Sequence, residues 1–88
     1  MSNLLSKSGL SAEGQNAVCD IARKFIAKNL NPHNLKTDVT TSDRLIYYEK
    51  FNSQTNCYEG EVVTFSIYID EDCVITIKNT DTNEEYLV

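Results

Sequence analysis

The chain has 88 residues, of which 41% are hydrophobic, and it carries a formal net charge of −5. A chain of this length encloses one hydrophobic core, and its composition is that of a folded protein rather than a disordered one. Because it has three cysteines, no secretory signal and no apolar run long enough to span a membrane, we expect a cytoplasmic protein with reduced thiols and no membrane partner.

Residues 1–10 show no regular pattern, and we expect a flexible N-terminal arm in front of a single domain over residues 11–88. The leucines of this arm offer an alternative, in which they pack under the core. Ser11 is suited to cap a helix, and Asn31-Pro32 is suited to end it. At about 100° per residue, the apolar residues of this helix fall on one arc, which comprises Ala17, Val18, Ile21, Ala22, Phe25 and Ile26.

From Asp43 onwards the period of the pattern changes to two. Short polar stretches separate four segments rich in β-branched and aromatic residues, which predicts an antiparallel meander. The four segments are Arg44–Phe51, Glu61–Ile69, Cys73–Lys78 and Glu84–Val88. The sequence therefore predicts an α+β fold, α-β-β-β-β, in which one amphipathic helix packs on one face of a four-stranded antiparallel sheet. Tyrosines, threonines and Lys78 are left on the other face.

Three consecutive carboxylates, Asp70-Glu71-Asp72, lie between two predicted strands. If Ile69 and Cys73 both face the core, these three residues form the whole loop, and Asp72 adopts the left-handed conformation. A loop of two residues would place one of the flanking residues on the wrong face.

The same reasoning predicts a loop of Asp81-Thr82-Asn83, with Asn83 left-handed and Ile77 opposite Leu87. Gly60 is expected to mark a β-bulge.

No residue pattern predicts a site for metal, cofactor or catalysis. Consecutive carboxylates in a tight turn diverge and do not converge on one ion, and the spacings of a zinc site are lacking. His33 and Cys57 are the types needed for a thiol–imidazole pair, but no local motif surrounds either. Cys19 and Cys73 are expected to be small core residues. We therefore expect a protein that is not an enzyme and binds no cofactor or metal.

The charge is distributed unevenly along the chain. Residues 1–35 carry four basic and two acidic side chains, a net charge of 4 − 2 = +2, whereas residues 36–88 carry four and eleven, a net charge of 4 − 11 = −7. An acidic surface repels phosphate backbones, so direct nucleic-acid binding is disfavoured, and a protein partner with a basic surface is favoured. The alternative is that the negative charge only keeps the protein soluble, since soluble cytosolic proteins are often acidic.

Tyrosines with neighbouring carboxylates are typical of protein–protein contacts. The sequence therefore predicts a small acidic, non-catalytic interaction module that binds and regulates or inhibits a protein, such as a phage or mobile-element inhibitor of a nucleic-acid-binding host factor. A DNA mimic is the sharper form of this hypothesis. The predicted contact residues are Tyr68, Asp70, Glu71, Asp72, Asp81, Glu84, Glu85 and Tyr86.

One alternative is a homo-oligomeric structural or assembly protein, the simplest form being a homodimer that buries the tyrosine-bearing sheet face. Another is that tyrosine and threonine are simply favourable residues on a solvated sheet face.

Overall fold

A computed structural model of the chain describes residues 2–32, 34–41 and 43–88, with the side chains of residues 38–41 excepted. It confirms an α+β protein with one long helix and an antiparallel sheet. The elements in chain order are β1 (Asn3–Leu4), a short 3₁₀ helix (Leu5–Lys7), α1 (Ala12–Phe25) continued by a π-helical turn (Ile26–Leu30), β2 (Lys36–Thr41), β3 (Arg44–Asn52), β4 (Cys57–Ile69), β5 (Ile75–Asn79) and β6 (Glu85–Leu87).

The sheet has six strands in the part of the chain that the structure describes, where the sequence predicted four. Strands β2 to β6 lie in sequence order, each antiparallel to the next. The short strand β1 also pairs with β4, with Asn3 opposite Ile69. Because β3 begins opposite Ser66, β1 continues the position of β3 along β4.

The helix begins as predicted at Ser11, whose Oγ accepts a hydrogen bond from the Gly14 N–H at 3.2 Å. It ends where Asn31 adopts a left-handed conformation with φ of 41°. Its buried side is rotated from the predicted arc towards Cys19, so that Ile21 is 45% exposed. The buried residues of the helical segment are Val18, Cys19, Ala22 and Ile26.

The hydrophobic core joins these helical residues to one set of alternating residues on the sheet. The register places Leu45 opposite Phe65 and Ile67 opposite Ile77, so these four side chains share a face. The Tyr47 ring meets Phe65 edge to face at a centroid distance of 5.8 Å, and burial raises the pKa of its hydroxyl. The buried members of this cluster are Leu5, Val18, Cys19, Ala22, Ile26, Leu45, Tyr47, Phe65, Ile67, Ile69 and Ile77. Below, the sheet face that carries these residues is the core face, and the opposite one is the outer face.

The N-terminal segment, predicted as a flexible arm over residues 1–10, contributes to this core. Leu5 is fully buried, and β1 hydrogen-bonds to β4. The Ser6 Oγ donates to Asp43 Oδ2 at 2.6 Å, which links the segment to the start of β3. Leu5 is thus held in the core by the pairing of β1, which precedes it, and by the Ser6 hydrogen bond, which follows it.

Residues 49–61 form a two-stranded ribbon, in which β3 and β4 pair only with each other among the described strands. The register shifts by one residue at its base, where Gly60 has φ of 81°, so the predicted bulge is confirmed. Tyr48 and Tyr58 stack at a centroid distance of 4.6 Å, and Phe51 lies 5.2 Å from Tyr58.

Candidate functional site

The turn that carries Asp70, Glu71 and Asp72 spans five residues, not three. Ile69 lies opposite Ile75, so the predicted pairing of Ile69 with Cys73 is wrong. The physical reason is the Asp70 side chain, whose Oδ1 accepts hydrogen bonds from the Asp72 and Val74 N–H groups, both at 2.9 Å. The loop is two residues longer than predicted, so Ile75 replaces Cys73 without changing which face is buried.

Cys73 occupies the left-handed position of this turn, with φ of 62°, where the sequence had placed Asp72. It is exposed and is not a core residue, in contrast to Cys19, which is buried and whose thiol pKa is raised by that burial. The predicted core role is therefore correct for Cys19 and wrong for Cys73.

We expect Cys73→Gly to raise the free energy of unfolding by about 0.5–1 kcal/mol, because glycine adopts the left-handed conformation without the steric cost that other residues carry. Urea unfolding measures the change. Cys73→Ala is the matched control, since it removes the thiol and keeps the unfavourable φ, and it should give no gain. Equal stabilities of the two variants would contradict the conformational explanation.

The turn between β5 and β6 repeats this chemistry with Asn79. Its Oδ1 accepts from the Asp81 and Thr82 N–H groups at 2.9 and 3.3 Å, and its carbonyl accepts from the Asn83 N–H at 2.7 Å. Asn83 is left-handed with φ of 63°, as predicted. Asn79 closes a loop one residue longer than expected, because its N–H donates to the Glu84 carbonyl at 2.9 Å.

This one-residue difference reverses the faces of β6. Ile77 lies opposite Tyr86 instead of the predicted Leu87. Tyr86 is therefore on the core face, where its hydroxyl donates to a Glu84 carboxylate oxygen, a hydrogen bond that raises the pKa of Tyr86. Leu87 takes the place on the outer face that the sequence had assigned to Tyr86.

The carboxylates predicted as one contact surface are thus divided between two turns at opposite ends of β5. At about 3.3 Å per residue, the five residues of β5 separate the turns by roughly 16 Å. Asp70, Glu71 and Asp72 belong to the first turn, and Asp81 and Glu84 to the second. Glu85 begins β6, opposite Lys78.

The tyrosines are separated as well. Tyr68 lies in a groove on the outer face with a volume of about 570 Å³, lined by Ser2, Tyr68, Thr76, Lys78, Glu85 and Leu87. Tyr86 lies in another groove of about 250 Å³, on the core face next to the end of the helix at Asn31 and Pro32. Of the predicted contact residues, only Tyr68 and Glu85 therefore line the groove on the outer face, whereas Glu84 and Tyr86 are hydrogen-bonded on the core face.

The first of these depressions, called the outer groove below, is the candidate functional site. Leu87 is 72% exposed there and lies opposite Thr76, next to Tyr68 in the register. Lys78 lies opposite Glu85, so the polar part of the groove carries one charge of each sign. No sequence pattern marked Ser2, Thr76, Lys78 or Leu87 as site residues. The face of the sheet on which Leu87 lies can be predicted only if the length of the preceding turn is correct.

The thiol–imidazole pair considered for catalysis falls partly outside the described residues, because His33 is not among them. Cys57 is exposed at the start of β4, and its Sγ donates to the Thr55 carbonyl at 3.4 Å. On the ribbon, the Glu59 carboxylate accepts from Asn52 at 3.0 Å and pairs with Lys50 at 3.2 Å. The Asn52 hydrogen bond first, and Lys50 second, lower the pKa of Glu59.

Comparisons with known protein families, with curated proteins and with solved structures give no match for this chain. Within the described ranges, no helix has the length and apolar character needed to cross a membrane. The same ranges contain no group of three or more His, Cys, Asp or Glu side chains that could hold a metal ion. The functional assignment therefore rests on the geometry of this chain alone.

Proposed function

We propose that this chain is a non-catalytic interaction module that binds a protein partner through the outer groove, and regulates or inhibits that partner by occupying its surface. The observation that carries the proposal is Leu87, a large apolar side chain that is 72% exposed beside Tyr68. Apolar groups combined with tyrosine in a depression with a polar rim are typical of protein-binding sites.

The polar residues of the outer face near the groove support this choice by contrast. In our proposal the helix covers only the core face, and the outer face is open to a partner. Antiparallel sheets tolerate one solvated face when its residues are polar, and here Thr64, Thr76 and Lys78 are polar and partly exposed. Leu87 does not fit this description, because its side chain is apolar and is not stabilised by contact with water.

The acidic segment that leads into and forms β6, at one side of the groove, favours a basic partner surface. Residues 79–88 contain Asp81, Glu84 and Glu85 and no lysine or arginine, a net charge of −3. The salt bridges within the described residues, Arg23–Asp20 and Lys50–Glu59, lie elsewhere. Complementary charges raise the association rate and select the partner.

We do not extend the proposal to DNA mimicry. Such a mimic needs a continuous row of free carboxylates, whereas Asp70 uses its carboxylate to close its own turn and the two acidic turns lie at opposite ends of β5. We place the protein in the cytoplasm, where the exposed Cys57 and Cys73 remain reduced.

Affinity purification from the organism that encodes the chain tests the proposal with three forms of the protein. Leu87→Lys places a charge in the outer groove. Ile21→Lys makes the same kind of change at a helical site that is 45% exposed and does not line the groove. We expect one protein to be recovered by the wild type and by Ile21→Lys, and to be reduced about tenfold or more by Leu87→Lys, since a central apolar contact contributes at least about 1.4 kcal/mol. Equal recovery by all three forms would overturn the proposal.

Self-association is the second candidate, because Leu87 is exposed on β6, at the edge of the sheet, and Val88 is exposed directly after it. A homo-oligomer that buries this surface would give a mass above that of a monomer in light scattering at micromolar concentration. Leu87→Lys would return it to a monomer. A monomeric wild type excludes this candidate and leaves the binding proposal standing.

A further inference from the structure

We propose that the partner supplies an extended segment that adds as a further strand beside β6, with basic residues facing the Glu84–Glu85 end and apolar residues facing the Leu87–Val88 end. This inference rests on the proposed binding function and names the partner's chemistry and the way it is bound. It depends on an open backbone edge at β6 and on a pattern of side chains that a second copy of this chain does not complement.

The backbone of β6 alternates between groups that β5 uses and groups that face away. The Asn79 N–H donates to the Glu84 carbonyl at 2.9 Å, and the Val88 N–H donates to the Ile75 carbonyl at 3.0 Å. Between these bonds Ile77 lies opposite Tyr86, so residues 84, 86 and 88 direct their groups towards β5.

It follows that Glu85 and Leu87 direct their N–H and C=O groups away from β5. No described strand pairs with β6 on that side. The edge therefore offers two donors and two acceptors at the spacing of alternate residues, which is what a peptide needs to add to a sheet.

The side chains along this edge change character from one end to the other. On the outer face the order is Glu85 and then Leu87, and on the core face it is Glu84, Tyr86 and Val88. Both faces are acidic where β6 begins and apolar further along. A strand added here therefore meets carboxylates with one end and apolar side chains with the other, on both of its faces.

A second copy of this chain is a poor occupant of the edge. It would bring its own residues 79–88, with a net charge of −3 and no basic side chain to pair with Glu84 and Glu85. A parallel second copy would place like charges directly opposite each other, which is destabilising, and an antiparallel one would place the carboxylates against Leu87 and Val88. A segment of another protein that is basic at one end and apolar at the other is complementary to both ends of the edge.

The probe is a short synthetic peptide with lysines in one half and valines in the other, and its control is the same peptide with glutamates in place of the lysines. Amide hydrogen exchange measured by NMR on the full chain gives the readout. We expect the lysine peptide to slow exchange at Glu85 and Leu87, and the glutamate peptide to leave both unchanged. Absence of slowed exchange with the lysine peptide, or an equal effect of both peptides, would overturn the proposal. Slow exchange at both amides in a dimer without peptide would overturn it in favour of self-association.

Leu87→Pro tests the backbone contact itself. Proline removes the outward N–H, which β5 does not use, so circular dichroism should remain that of the wild type. We expect the lysine peptide to bind about tenfold more weakly, the loss that corresponds to about 1.4 kcal/mol. Leu87→Ala is the matched control, because it shortens the side chain, keeps the N–H and should weaken binding less. Unchanged binding to a folded Leu87→Pro protein would contradict strand addition.

If Leu87→Pro does not fold, the same contact can be removed from the peptide. Methylation of the alternate peptide nitrogens that face β6 should abolish binding, and methylation of the other set should not. Equal binding of the two methylated peptides overturns the inference. Failure of the proposed function is distinguishable, because a cellular partner lost on Leu87→Lys and retained on Leu87→Pro would keep the outer groove as the site and exclude the added strand.

Discussion

Replacing Leu5 with alanine is expected to lower the free energy of unfolding by about 2–4 kcal/mol, a large part of the stability of a domain of this size. The Leu5 side chain is fully buried in the core cluster, so its truncation leaves a cavity. Leu10→Ala is the matched control, because Leu10 is in the same segment and is 36% exposed. Urea unfolding of the two variants and the wild type gives the comparison, and the control should lose less than about 1 kcal/mol.

This prediction separates two descriptions of residues 1–10. If the segment is a flexible arm, as its sequence suggested, both leucine variants will unfold at the wild-type urea concentration. If β1 and Leu5 hold it in the core, only Leu5→Ala will shift the transition. Equal small losses would therefore contradict the packed arrangement.

The second large effect is expected at Gly60, at the bulge where the ribbon leaves the sheet. A Cβ atom added there would lie 2.9 Å from the Cβ of Glu49, closer than such atoms approach in folded proteins, and the residue also has φ of 81°. We expect Gly60→Ala to cost about 2–3 kcal/mol, from left-handed strain together with displacement of the Glu49 backbone.

Gly9→Ala provides the matched control for this effect. Gly9 has nearly the same φ, 84°, but an added Cβ would have no atom within 4 Å. Its substitution should cost only the conformational part, about 1 kcal/mol. Chemical unfolding again measures both variants, and equal losses would show that the contact with Glu49 is relieved without cost.

The sequence was informative where one face of an element is buried. The cap at Ser11, the period of two in β3, β4 and β5, and the bulge at Gly60 all follow from local chemistry, and the structure has each of them. Strand β2 was missed because Lys36–Thr41 is mainly polar and has no alternation that marks a face. Strand β1 has only two residues, so its pairing with β4 is a tertiary contact that no local pattern encodes.

The errors at the candidate site come from the lengths of the turns. Asp70 and Asn79 each accept backbone hydrogen bonds through Oδ1, which lengthens the loop that follows. The loop that begins at Asp70 is two residues longer than predicted, so the faces of the following strand are unchanged. The loop after Asn79 is one residue longer than predicted, which exchanges Tyr86 and Leu87 between the faces of the sheet.

A signal for the second loop was present in the sequence. The pattern Asn-x-x-Thr-Asn occurs twice, at residues 52–56 and 79–83. In both copies the first asparagine accepts N–H groups two and three residues ahead, and the last asparagine is left-handed. Recognising the repeat would have placed Glu84 opposite Asn79 and Leu87 on the outer face.

The central claim is that the outer groove and the adjoining edge of β6 bind a protein. Hydrogen exchange of the complex between this chain and the protein it captures tests that claim most directly. We predict that exchange slows at Glu85 and Leu87, with smaller changes at Tyr68 and Thr76 in the groove beside them. Slowed exchange on the exposed side of α1 or at the ribbon tip, with Glu85 and Leu87 as fast as in the free protein, would contradict it.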